Sequence, residues 1–417
     1  MMNAKEKTKR PGLWRRLVIL ASVLGPGIIT ANVDNDAGGL ATYSQAGAIF
    51  GLDLLWLFLP MGVALIVVQE MANRMGVVSG DGLSSLIRER FGVKVTFYLM
   101  VILLLTNFGN IMAEFAGIAS AAQLFGISPL IAVPVCAAMV WLLVLRWNYK
   151  AVERVFLVAC LFYASYLVTC FMVKPDLHQV STALVIPGWR HDPEYLMMII
   201  GLVGTTIAPW MQFYQQASVV EKNIDVEHYA YSRADTIIGG IVVNVVAIAI
   251  VIVCALTLNP AQIRIDTAAQ AAQALEPLAG RGAELLFAFG LFNASVFAAS
   301  ILPLSTAYTV CEALGWERGV DKGYGEAPHF YVLYTALIAL GALIILIPGI
   351  SPIQVMLISQ VGNGMLLPVI LVFMLVLIND RRLMGTHTNG RIYNAICLAL
   401  AGGLTAISLM YVISLFV

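Results

Sequence analysis

Charge is scarce in this chain of 417 residues: 12% are Asp, Glu, Lys or Arg, while 60% are hydrophobic. A soluble domain carries about 25% charged residues. The apolar residues gather in repeated runs of about 18 or more, each long enough to cross roughly 30 Å of hydrocarbon. That pattern excludes a soluble enzyme, a secreted module and a disordered chain. Lys plus Arg balances Asp plus Glu at 24 each, and no basic tract follows residue 16, so nucleic acid has no electrostatic footing here. The six cysteines (Cys136, Cys160, Cys170, Cys254, Cys311, Cys397) lie in apolar segments without Cys-x-x-Cys or Cys/His spacing. They read as small buried hydrophobes, not as a zinc site or disulfide frame. The five histidines (His178, His191, His228, His329, His387) fall in loops or at the ends of apolar runs. A proton route through a mid-membrane imidazole is therefore not written in this chain. A Walker motif, a His-Glu-x-x-His and a Gly-x-Ser-x-Gly elbow are all lacking. No ATP-driven pump or intramembrane hydrolase is expected, no enzyme, and no resident cofactor.

What is present is a polytopic membrane protein. Hydropathy places eleven spans at 16–48, 52–77, 95–124, 127–147, 151–173, 196–221, 232–258, 283–312, 329–348, 352–378 and 392–416. With the N-terminus inside, Lys and Arg divide twenty to four, the outer four being Lys174, Arg190, Arg264 and Arg281. This positive-inside bias puts the N-terminus in the cytoplasm and the C-terminus outside. The first apolar stretch lacks a small-residue cleavage site and reads as a retained span, not a signal peptide. No low-complexity linker divides the chain, so one domain is expected. It comprises a basic tail (1–15), spans one to five (16–173), spans six to ten (196–378) and a final span (392–416).

Two spans depart from ordinary transmembrane helices. The first carries Gly25-Pro26-Gly27 and then Asp34-Asn35-Asp36-Ala37-Gly38-Gly39; the sixth carries Gly204–Gln212 with Pro209 in its middle. Glycine pairs and proline loosen the helical ladder, and freed backbone groups survive at that depth only beside a cavity or bound ion. Interruptions at matching positions of two five-span halves point to the substrate site of an inverted-repeat transporter. A carboxylate at the bilayer centre costs at least ~3 kcal/mol, so it is paired, hydrated or coordinating a cation. Asp34 and Asp36, with no Lys or Arg nearby in sequence, suit a hard cation and would repel an anion. Asp36 is preferred because it adjoins Ala37-Gly38-Gly39. The competing reading makes one acid a helix cap and turns the other toward an aqueous vestibule.

Glu114 on span three, one turn after Asn110, is either a proton acceptor on the ion path or a hydrogen-bonded glutamate inside the bundle. Glu70 with Arg74 at i+4 reads as a structural ion pair. Asn107, Asn244, Asn293, Gln360 and Asn363 are polar residues in apolar runs and are expected to join helices. Gln360 and Asn363 on span ten also qualify as walls of the ion path.

These stretches resemble the NRAMP family of divalent-metal transporters along nearly the whole chain. GPGIITANVDNDAGGLATYSQAGA is similar to the family's first span, and VVQEMANRMGVVSGDGLSSLIRERFG to its second span and following loop. AEFAGIASAAQLFGI, ADTIIGG and NDRRLMG match later stretches. The resemblance implies an all-α LeuT-type fold, a five-plus-five inverted repeat with one extra helix, and an ion held between unwound parts of spans one and six. It also implies a monomer in the bacterial plasma membrane.

The departures from the family pattern bear on the substrate. Where the family has Asp-Pro-Gly-Asn, this chain has Asp36, Ala37, Gly38 and Gly39. Where it has Met-Pro-His, this chain has Ala208, Pro209 and Trp210. The span-three aspartate associated with proton movement is Ile111. Losing the soft thioether removes a preference for softer transition metals. Mg²⁺ gives up water reluctantly and is held through one or two carboxylates plus several waters. These changes resemble the magnesium-transporting branch of the family, as does Pro303–Gly319. The implied metal site is Asp36 with the carbonyls of Val33 and Thr205. Gly39 and Ala208 leave room for a largely hydrated Mg²⁺ (Mn²⁺ also being carried), and Trp210, with Asp34, lines a roomy cavity. Uncoupled import is expected. The alternatives are a proton-coupled Mn²⁺/Fe²⁺ transporter and a sodium-coupled symporter of an organic solute.

Overall fold

The computed structural model describes residues 35–146, 164–319 and 322–415. Helix is found in the described part of each of the eleven expected spans, and among the described residues no β-strand occurs. Hydrocarbon offers no partner for backbone N–H and C=O groups, so apolar runs of this length close their hydrogen bonds internally.

Span one enters the described region as Ala37–Phe50. Span two is Phe58–Ser79, preceded by a 3₁₀ turn, and ends at Gly80, whose φ of 72° is a left-handed cap open to glycine. Spans three (Val93–Leu124) and eight (Ala283–Leu314) are both 32 residues long, occupy corresponding places in the two halves and pack against each other. Span six is two helices, Pro193–Thr206 and Pro209–Glu221. Spans four (Pro129–Arg146), seven (Tyr229–Thr257), nine (Pro328–Ile345), ten (Pro352–Ile378) and eleven (Arg391–Ser414) run unbroken, and the described part of span five is Ala164–Met172. Short helices in the connections, such as Leu83–Phe91, Leu177–Val185 and Arg381–Met384, were not anticipated by hydropathy because they are too short or too polar to register.

Burial separates the centre from the rim. Along its most apolar stretch, 94% of span six is buried against 17% of span eleven, so span six is the axis and span eleven a lipid-facing addition. Small residues bring the axis together. A Cβ on Gly204 would lie 2.0 Å from the Gln360 carbonyl oxygen, and one on Gly364 would lie 2.2 Å from that of Ile200. Spans six and ten therefore touch backbone to backbone.

Some of the polar residues expected to join the spans do so. Asn107 Nδ2 donates to Thr306 Oγ1 (3.0 Å), linking spans three and eight, and Asn244 Nδ2 donates to the Phe58 carbonyl (3.2 Å). Glu70 pairs with Arg74 at 3.3 Å and accepts from the Tyr229 hydroxyl. Asn73, Ser232, Thr236 and Gln215 form a further network between spans two, six and seven. The described cysteines are free thiols.

Candidate metal site

The site is assembled from the two interrupted spans. Asp36 is extended (φ −69°, ψ −173°) and stands at the N-cap of Ala37–Phe50, where its Oδ1 accepts the Gly39 N–H at 2.7 Å. Asp36 thus caps the half-helix, the role the competing reading gave to one of the two acids. Helix N-termini stabilise a negative charge, so the cap helps to hold a carboxylate that is only 5% exposed. Glu114, fully buried on span three, accepts the Ala37 N–H through Oε2 at 3.4 Å, and its carboxyl group interacts with that of Asp36. Sequence separates these acids by 78 positions; the fold makes them neighbours. Val33 and Asp34 lie outside the described residues.

Opposite them is the break in span six. Ile207 (φ −127°, ψ 57°) and Ala208 (φ −64°, ψ 139°) leave helical geometry, as the residue before a proline tends to. Pro209 has no N–H, so the Thr205 carbonyl loses its partner one turn on. The Ala208 carbonyl accepts from Met211 N–H (3.2 Å) and Gln212 Nε2 (3.3 Å). Tyr43 of span one shares a hydrogen bond of 2.8 Å with the Thr206 hydroxyl and ties the half-helix to the break.

Span ten closes the third side. Gln360 Oε1 accepts from Asn363 Nδ2 (2.8 Å), and Asn363 exchanges hydrogen bonds with Asn110 of span three (2.9 and 3.0 Å). The Gln360 amide lies over Gly38, where a Cβ would come within 1.9 Å of its nitrogen. Gln360 thus lies directly over the first turn of the half-helix that Asp36 caps. Thr205, Ala208 and Trp210 are each only 2% exposed, and the Trp210 ring packs on Tyr214. Gly39 takes part through its amide, already given to Asp36.

Among the described residues no three His, Cys, Asp or Glu side chains converge, so any cation here depends on one or two carboxylates together with carbonyls and water. Two participants escaped the sequence reading. Gln212 is fully buried and its Oε1 has no hydrogen-bond partner among the described residues. The signal was available, since it is a polar residue three positions after the proline of a broken span. Tyr43 gave no signal, because a tyrosine in an apolar run reads as packing. Ile111, in the place of the family's span-three aspartate, is fully buried and packs on Gly341 of span nine, an apolar contact.

A helical bundle with a break in one central span, faced by the capped start of another, is the arrangement of membrane transporters of the LeuT-type fold. The Nramp family model, "natural resistance-associated macrophage protein-like", matches residues 27–414, and the chain belongs to that family. The divalent metal cation transporter MntH of Acidiphilium cryptum (strain JF-5) is 26% identical over 382 residues, covering 89% of this chain and 85% of the relative. MntH of Yersinia pestis (strain Pestoides F) is 27% identical over 382 residues, covering 88% of each. Among solved structures, the Eremococcus coleocola manganese transporter superposes with a TM-score of 0.81 at 21% identity, over 98% of this chain and 89% of that one. Mhp1, a nucleobase-cation-symport-1 family transporter, gives 0.56 at 14% identity over 94% and 90%. The all-α, LeuT-type expectation holds.

Proposed function

We propose that this chain is a multi-pass divalent-metal transporter of a bacterial plasma membrane whose preferred cargo is Mg²⁺, with Mn²⁺ also carried. It would work by alternating access as a single domain and a monomer, N-terminus inside. Its relatives are named as metal cation transporters, not enzymes, which supports the metal as cargo. The observation that carries the Mg²⁺ preference is the composition of the span-six break opposite Asp36. Alanine and tryptophan stand there, and neither supplies the soft ligand that a transition metal favours. A carboxylate, the Thr205 carbonyl that Pro209 deprives of its helical donor, and retained waters suit a hard, octahedral ion. On this reading the packed arrangement is the closed station of the cycle, and a hydrated ion enters once the Gln360 amide and Trp210 swing clear.

The ion would move down its own gradient and the membrane potential, worth ~2.3 kcal/mol per charge per 100 mV and about twice that for a divalent ion. Ile111, packed in apolar surroundings, supports the absence of proton coupling. Glu114 beside Asp36 is the observation that favours the proton-coupled alternative.

The test is Mg²⁺ uptake by proteoliposomes, with wild type and Asp36→Ala side by side. The variant should lose uptake on the order of a hundredfold, as expected when a buried charged partner is removed. Millimolar Mg²⁺ should compete with Mn²⁺ uptake; Mn²⁺ uptake indifferent to Mg²⁺ would overturn the preference. Proton flux tracking Mg²⁺ would overturn the uncoupled mechanism, and sodium dependence would point to a symporter. Restoring the family's side chains (Gly39→Asn, Ala208→Met, Trp210→His) should raise transition-metal preference.

A further inference from the structure

At the end of the bundle rich in arginine, a cavity of about 430 Å³ is lined by Arg90, Val376, Asn379, Asp380, Arg381 and Arg382. Three arginines and a single carboxylate line it. Asp380 is already engaged, pairing with Arg90 Nε at 3.6 Å through Oδ2 and accepting the Arg382 N–H at 2.9 Å through Oδ1. Among the described residues the Arg381 and Arg382 side chains have no ion-pair partner, and both are exposed. The corner is built rather than loose. Phe91 meets Phe373 edge-on at 4.8 Å, pinning the helix that bears Arg90 against span ten. Asn379 bonds to the Leu375 carbonyl and exchanges hydrogen bonds with Asn394, fixing the turn between spans ten and eleven.

An apolar stripe leads into this corner. Val369, Val372 and Val376 of span ten are all exposed at spacings of three and four residues, so they share one face of the helix, and Val376 belongs to both stripe and cavity. We propose that the corner binds the headgroup of an anionic phospholipid, with Arg381 and Arg382 holding its phosphate and an acyl chain lying along the valine stripe. Guanidinium matches phosphate geometry in a bidentate way, and basic pockets at this level of a membrane protein suit lipid headgroups. A free phosphate ion would engage the arginines and have no use for the stripe, which is why a lipid is the occupant argued here.

Native mass spectrometry of the full chain in detergent, with dioleoylphosphatidylglycerol or dioleoylphosphatidylethanolamine added, tests this. Phosphatidylglycerol should be retained preferentially, and Arg381→Gln with Arg382→Gln should weaken retention by about fivefold per arginine. Asp380→Asn, which keeps a capping oxygen and removes the competing charge, should strengthen retention, a gain that misfolding cannot produce. Equal retention of the two lipids, an unchanged glutamine variant or an Asp380→Asn variant without gain would each overturn the proposal. Displacement of the lipid by millimolar inorganic phosphate would assign the corner to a soluble anion and overturn it as well.

Discussion

Spans six and eight each contain a proline inside a long apolar run, and only span six breaks there. Around Pro209 the chain leaves the helix for two residues; around Pro303 the helix continues for all 32 residues of Ala283–Leu314. Pro134 and Pro368 are likewise carried inside continuous helices. The two prolines also differ in how the hydroxyl groups near them bond. In span eight Ser300, Thr306 and Thr309 donate to carbonyls of their own helix, those of Phe297, Leu302 and Ser305, so the hydroxyl groups around Pro303 bond within the span. In span six the Thr206 hydroxyl is turned outward to Tyr43 of span one, and Gly204 holds the chain against the backbone of span ten. Proline supplies a weak point, and tertiary contacts decide whether it opens.

The largest effect should come from the crossing of spans six and ten. Gly204→Val or Gly364→Val puts side-chain atoms into backbone and should lower Tm by about 5 °C or more, or prevent accumulation of folded protein. Gly403→Ala on span eleven, where a Cβ would meet nothing within 4 Å, should leave Tm unchanged or slightly raised. Equal tolerance at the two places would break the contrast between axis and rim. Next come the prolines. Pro209→Ala gives the Thr205 carbonyl a helical partner and should cut Mg²⁺ uptake by about tenfold or more while the protein stays folded. Pro303→Ala should leave uptake within about twofold. Similar losses from both would show that the break owes nothing to its surroundings. The smallest effect is assigned to Tyr43→Phe, which removes one hydrogen bond worth about 1 kcal/mol and should lower Tm by a few degrees at most, with slower uptake.

Much of this architecture was legible. Apolar run length alone located the spans, because hydrocarbon accepts little besides uninterrupted helix, and Pro209 with its flanking glycine marked the break in span six. Asp36 and Glu114 stood out because carboxylates are costly at that depth, and Glu70 with Arg74 followed from helical spacing. The arrangement of Gln360 was not legible as it occurs. Sequence offered it as one wall of an open path, whereas it is folded over Gly38. Gln212 was passed over beside a more conspicuous proline.

Sequence by itself determined that the chain lives in a bilayer, where the ladder is weakest and which acids must be sheltered there, since each follows from the cost of placing polar groups in hydrocarbon. Only the tertiary structure decided which proline interrupts its helix, that Asp36 and Glu114 face one another, and that the Gln360 amide lies over Gly38. Those outcomes depend on close approach between residues far apart in the chain, at glycines whose missing side chains say that something packs there and not what.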